Sequence, residues 1–262
     1  MSFASTLSAE LRKAATLPAV WAGVAVTVLG SIALTMINAS TTRNAVESGR
    51  PQLVADTSPF EAAFAMMPLG TVGAVVIGVV LIGSEYTSNS AEAGGGRQIT
   101  ATLAAMPRRV NVLAAKALTL VLAVLGTAAV ALPASVAIAH AIIGDAGIDT
   151  VTLDDAVRRG LGGTLYWVLM GVIAFAITVM TRSAAIPLLV LVVNSSLVSI
   201  PLLLTNLTPL AHWLPDLAGR RLFDGPYTID GGLDALPGAI VMGTWALLLL
   251  AIATVLFARR DA

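Results

Sequence analysis

Few side chains in this 262-residue chain could do chemistry. There is no cysteine, which excludes disulfides and thiolate metal sites. Its two lysines are Lys13 and Lys116, and neither follows a glycine, so the G-x-x-x-x-G-K-[ST] phosphate loop is absent. Gly94-Gly95-Gly96-Arg97 has the look of a phosphate cradle, but no strand precedes it, and a flexible link is the plainer reading. The two histidines, His140 and His212, stand far apart and make no metal-site pattern without cysteine. Serine, histidine and aspartate all occur between apolar runs, yet no motif joins them into a hydrolase triad. No carboxylate falls in the middle of an apolar run, where an ion-coupled carrier places one. Asn194, Ser195 and Ser196 form the concentrated polar patch near mid-run. They read either as interhelical hydrogen bonding, the plainer choice, or as a polar point on a substrate path. Any transport by this chain must therefore draw its energy from another polypeptide.

The elements that would position these groups are membrane spans. The chain is 57% hydrophobic and 11% charged, against about 25% charged in soluble domains. Its mean hydropathy is +0.88. Apolar surface on that scale needs lipid, so an all-α integral membrane protein is expected, as a single transmembrane domain over residues 1–262. Six spans are expected, at about 18–37, 60–82, 112–143, 161–180, 184–204 and 238–257. The first exceeds the ~7–15 apolar residues of a signal peptide and reads as a retained span. Gly70, Gly73 and Gly78 in the second allow close helix approach. The third reads as one long tilted helix kinked at Pro133.

Outside the spans, Phe3, Leu7 and Leu11 fall on one helical face, with Glu10, Arg12 and Lys13 off it. This suits an amphipathic interfacial helix, or else an unstructured terminus. Leu210, Trp213, Leu214 and Leu217 suggest a second short interfacial helix, with Trp213 at headgroup depth. The positive-inside rule sets the orientation. With both termini, residues 83–116 and the Thr181–Ser183 turn inside, the inner segments hold nine basic residues and the outer segments six. Both termini are thus expected in the cytoplasm. The zero net charge gives no pull toward nucleic acid.

The polar segment from Gly83 to Lys116 stands out. It carries Arg97, Arg108, Arg109 and Lys116 between long apolar runs. Ile99, Leu103 and Met106 lie at i, i+4 and i+7, with Thr100, Ala101, Thr102, Ala104 and Ala105 between them. The spacing predicts a short helix with a narrow apolar ridge, ended near Pro107. Such a helix could dock in a groove on a partner and pass its motion to the third span. Spacing alone allows equally an interfacial helix with snorkelling basic residues and no partner.

Ser84-Glu85-Tyr86, the run Gln98 to Arg109 and Leu113-Ala114-Ala115-Lys116 together resemble permease subunits of type-2 ABC exporters. Leu214-Pro215-Asp216-Leu217-Ala218-Gly219 resembles a further recurrent segment of that family. The resemblance implies six helices per permease, two permease copies or homologues, and two cytoplasmic ABC ATPase subunits. ATP and magnesium would sit on those subunits, with no cofactor bound by this chain. It implies a coupling-helix role for Gln98, Ile99, Thr100, Thr102, Leu103 and Met106, flanked by Arg108 and Arg109, with Glu85 and Tyr86 as further candidate contacts. It implies an interfacial connecting helix at Phe3 to Lys13, an outer re-entrant region at about Leu210 to Leu217, and residence in a bacterial cell (inner) membrane. Export of a drug, peptide or lipid-like substrate is the expectation, and a non-transporting scaffold or accessory subunit the alternative. Ser88 to Gly96 makes the link to the coupling helix longer than in many members.

Overall fold

The computed structural model describes residues 2–87, 98–105, 108–149, 151–196, 200–223 and 231–259, with the backbone alone for 193–196. All regular structure among the described residues is helical, and they contain no strand. Five helices among them are long and apolar enough to cross a membrane: Pro18–Glu47, Pro59–Tyr86, Arg109–Ala146, Leu153–Thr181 and Ala235–Arg259.

The first helix, α1 (Phe3–Thr16), opens on a Ser2 cap whose hydroxyl accepts the Ser5 N–H. Its buried face is Thr6, Glu10 and Ala14, while Phe3 and Leu11 lie exposed. The apolar stripe therefore points away from the protein, and the helix packs through a polar face.

After Leu17 the first span runs as α2 (Pro18–Ala25), a π-turn at Val26–Gly30, and α3 (Ser31–Glu47). It extends ten residues past the expected end at residue 37. Nothing in 38–47 breaks a helix, and the stop comes at Gly49, whose φ of +69° leaves the helical region. The π-turn lies against the second span. A Cβ on Gly73 would lie 1.8 Å from the Thr27 hydroxyl oxygen and 2.7 Å from the Gly23 carbonyl.

The second span is split into α4 (Pro59–Phe64) and α5 (Met67–Gly83), with Pro68 in the first turn of α5. It is the centre of the bundle. Within the apolar window of Pro59–Tyr86, 67% is buried, against 28% in Arg109–Ala146. The glycines expected to permit close approach do so. A Cβ on Gly70 would fall 1.8 Å from the Trp167 ring, and one on Gly78 would fall 2.4 Å from the Gly171 carbonyl oxygen. Trp167 is itself buried and donates to the Met67 carbonyl at 3.1 Å.

Short helix α6 (Gln98–Ala105) follows, then α7 (Arg109–Ile143), which passes through Pro133 as one continuous 35-residue helix. Helix α8 (Leu153–Thr181) begins eight residues before the expected 161. Thr152 caps it by accepting the Asp155 N–H at 3.2 Å, and Asp154 and Asp155 favour its positive N-terminus.

The expected fifth span corresponds to α9 (Ala185–Ser196) and α10 (Ile200–Leu204), with residues 197–199 outside the described set. Neither helix alone reaches the length of a span. The second interfacial helix resolves into a 3-10 turn, Pro209–Trp213, and α11 (Pro215–Arg220). Leu217, Ala218 and Gly219 of α11 are buried, so it tucks into the bundle rather than floating at its edge. His212 is buried beside it, and Trp213 is exposed. Helix α12 (Ala235–Arg259) packs on α8 and α11. Leu29, Leu125, Val130, Leu247 and Leu248 point outward from the long helices. These faces fit contact with acyl chains.

Candidate functional site: charged groups buried beneath a short surface helix

Helix α5 ends at Gly83, and the chain tightens into a 3-10 turn, Ser84–Tyr86. The turn brings Glu85 between the ends of α1, α6 and α7. Its carboxylate has no exposed surface. One oxygen, Oε1, lies 2.7 Å from Lys116 Nζ and also pairs with Lys13 Nζ. The other, Oε2, accepts the Thr102 hydroxyl at 2.9 Å. Lys116, 1% exposed, donates further to Glu10 Oε2 at 2.6 Å and to the Leu81 carbonyl at 3.4 Å.

Four elements and both lysines of the chain thus meet at one carboxylate. The charges are Glu10 from α1, Glu85 from the end of the second span, Lys13 from α1 and Lys116 from α7. They sum to zero. An isolated charge removed from water would cost several kcal/mol, so burial here depends on every member being paired. Glu10 and Lys13 reach this point because the Thr6–Glu10–Ala14 face of α1 is the packed one.

Helix α6 sits on this cluster. Ile99 is 2% exposed within the main core, Leu103 packs against the same core, and Thr102 bonds Glu85. Gln98 donates its N–H to the Thr87 carbonyl at 3.4 Å. The apolar ridge expected to meet a partner is therefore turned inward at Ile99 and Leu103, where it anchors the helix. What α6 presents outward is Thr100, Ala101, Ala104 and Ala105. Glu85, expected as a surface contact, is likewise interior, and Tyr86 packs half-buried on the core. Arg108 is exposed just before α7, and Arg109 is half-buried in its first turn. Met106, Arg97 and Gly94–Gly96 lie outside the described residues, as do the side chains of Asn194, Ser195 and Ser196.

Glu10, Glu85 and Lys116 of this cluster are buried, and the Lys13 side chain keeps 23% of its surface exposed. The cluster ties elements together: Thr102 of α6 bonds Glu85, and Glu85 pairs with Lys13 of α1 and Lys116 of α7. Opposite charges at the ends of neighbouring apolar runs were the signal in the sequence. Lys116 near the start of the third run and Glu85 at the end of the second lie at matching depth. Glu10 could not be added without knowing which face of α1 packs.

The opposite end of the bundle holds a second buried ion pair that the sequence reading did not connect. Arg159 of α8 grips Glu61 of α4 with both nitrogens, at 2.6 and 3.0 Å, and donates Nε to the Phe223 carbonyl at 3.0 Å. Nearby, Ser58 and His140 both bond Asp149, at 2.7 and 2.9 Å. A serine, an aspartate and a histidine do come together here. The aspartate stands between the other two, however, so the histidine cannot take the serine proton, and the order needed for a hydrolase is missing. Among the described residues no group of three potential metal ligands occurs. Comparison with protein-family models and with curated proteins found no match to this chain.

Proposed function

We propose that the chain is a membrane-spanning permease subunit of an ABC exporter, driven by a separate cytoplasmic ATPase. The observation that carries the proposal is α6: a short helix seated on a buried, charge-neutral cluster, with a face of small residues turned outward. Small side chains let a partner's groove approach the backbone closely. Exposed Arg108 adds a charge at the edge of that face. A push on α6 is transmitted through Thr102 and Glu85 to α1, α5 and α7, which gives energy from outside the chain a route into three elements. The absence of a phosphate loop or mid-run carboxylate in the sequence is consistent with such an input.

In this reading α6 and both termini are cytoplasmic, α9 and α10 together complete a sixth span, and two copies or homologues pair across lipid-facing helices in a bacterial inner membrane. The cargo is a drug, peptide or lipid-like molecule.

The test uses the chain's lack of cysteine. A single cysteine introduced as Ala104→Cys is expected to crosslink to an ATPase subunit in native membranes, and Ala104→Asp to abolish stimulation of that subunit's ATP turnover while the chain remains folded. Absence of an ATPase in the crosslinked product, or unchanged turnover with Ala104→Asp, would refute the proposal. A chain that recruits an ATPase but never alters its turnover would instead be an accessory subunit.

A further inference from the structure

At the end of the bundle away from Glu85, α3, α4, α5, α8 and α11 line a half-open cavity of about 460 Å³. That volume is in the range of small-molecule sites, roughly 300–1,000 Å³. Its walls combine aromatic faces with charges. Phe64, Tyr166 and Phe223 supply the aromatic surface, and Tyr166 meets Phe223 edge-on at 4.9 Å between centroids.

The charges that line the cavity are three acids and two arginines: Asp56, Glu61, Asp216, Arg159 and Arg220. Four of them are committed to one another. Glu61 is held by the two-pronged Arg159 contact, and the Arg159 guanidinium also lies 5.0 Å from the Phe60 ring centroid and 5.1 Å from that of Phe64. Asp216 accepts the Tyr166 hydroxyl and lies 3.7 Å from Arg220. Asp56 is the remainder. It is half-buried and accepts the Ser58 N–H at 2.7 Å, and among the described residues no cation lies within ion-pair distance of it.

The cavity thus carries one unneutralised negative charge beside aromatic faces, with its positive groups already engaged. Anions would have to compete with Glu61 or Asp216 for an arginine. A divalent cation needs several free oxygens, and calcium takes six to eight, but only one carboxylate here lacks a cation partner. An organic cation satisfies both features: its charge pairs with Asp56, and its body lies on the rings, where cation–π attraction adds to the ion pair. The Arg159–Glu61 clamp holds the walls in place beforehand, which lowers the ordering penalty of binding.

We propose that this cavity is a binding site for a compact organic ammonium ion. The proposal concerns binding by the chain itself and does not depend on the transport reading, so the test omits any ATPase. The full chain in lipid nanodiscs is titrated with benzyltrimethylammonium by calorimetry, with benzyl alcohol and benzenesulfonate as neutral and anionic comparators.

Saturable binding of the ammonium ion at one per chain is expected, with neither comparator binding at the same concentration. Asp56→Asn should weaken binding about tenfold or more, the loss of one partly desolvated charge contact. Ala65→Phe, at an exposed small residue of the cavity wall, should abolish binding by filling the space without altering a charge. Asp154→Asn, an exposed acid outside the cavity, should leave binding unchanged. Thermal unfolding of each variant checks that the fold persists. No binding by the parent chain, equal binding of benzenesulfonate, or unchanged binding in either Asp56→Asn or Ala65→Phe would overturn the proposal.

Discussion

Lys116 is the residue on which the interior charge balance turns. It has two carboxylate partners and is 1% exposed, so its replacement by an apolar side chain leaves Glu10 unpaired and Glu85 with Lys13 alone. Lys116→Met is expected to destabilise the chain by about 3–5 kcal/mol, the usual penalty for breaking a buried pair from one side. Adding Glu10→Gln should recover part of that loss, because the stranded charge disappears. Thermal unfolding of the two single variants and the double variant in detergent measures the coupling. Strict additivity would show that the two groups do not interact. Gly70 makes the opposite kind of demand. A Cβ there meets the Trp167 ring at 1.8 Å, so Gly70→Ala forces the indole off its bond to the Met67 carbonyl. A loss of about 1–3 kcal/mol is expected, read from the same unfolding assay and from a shift in tryptophan emission.

Helix α6 divides its duties between two faces, and substitutions should separate them. Ile99→Asp places an unpaired carboxylate in the core and should lower the unfolding temperature by many degrees. Ala104→Asp places the same charge on the exposed face and should leave the unfolding temperature unchanged while removing the response of the partner ATPase. Equal loss of stability in both would show that α6 has no free face. Helix α1 is the second element whose orientation matters. Its exposed Phe3 and Leu11 suit the lipid interface, while Glu10 pins it to α7 and Lys13 to the Ser84–Tyr86 turn after α5. A helix fixed to the bundle in this way moves with the spans it is paired to.

At the scale of the molecule, two polar regions lie at opposite ends of a largely apolar bundle. Glu61 and Glu85 are separated by nearly the whole second span, roughly 35 Å at the helical rise per residue. The Glu85 end holds the elements with excess basic residues in the sequence, and the Glu61 end holds most of the acids. Reporter fusions at both termini are expected to give cytoplasmic signals, and a cysteine introduced at Asp154 should be labelled only from the outer face. Labelling of that cysteine from the inner face would invert the topology and place the cavity, rather than α6, on the cytoplasmic side.

The amino-acid sequence by itself determined that this is a helical membrane protein. Runs of about twenty apolar residues with almost no charge leave little else, because lipid offers backbone groups no partner outside a helix. It also marked a short helix from Gln98 to Met106, ended near Pro107, of which Gln98–Ala105 is described as helix, since the i, i+4 spacing of Ile99 and Leu103 is a local property. Helix ends such as Glu47 and Leu153 were less legible. Polar residues that follow an apolar run can continue the same helix into water, and only Gly49 and the Thr152 cap show where it stops and starts. Tertiary structure alone decided which face of α6 and of α1 turns inward. It alone joined Glu10, Lys13, Glu85 and Lys116, residues that come from three separate stretches of chain. Charge pairing across helices depends on their rotation and relative depth. Those are set by packing such as Gly70 on Trp167 and Gly78 on Gly171, which no single stretch of sequence contains.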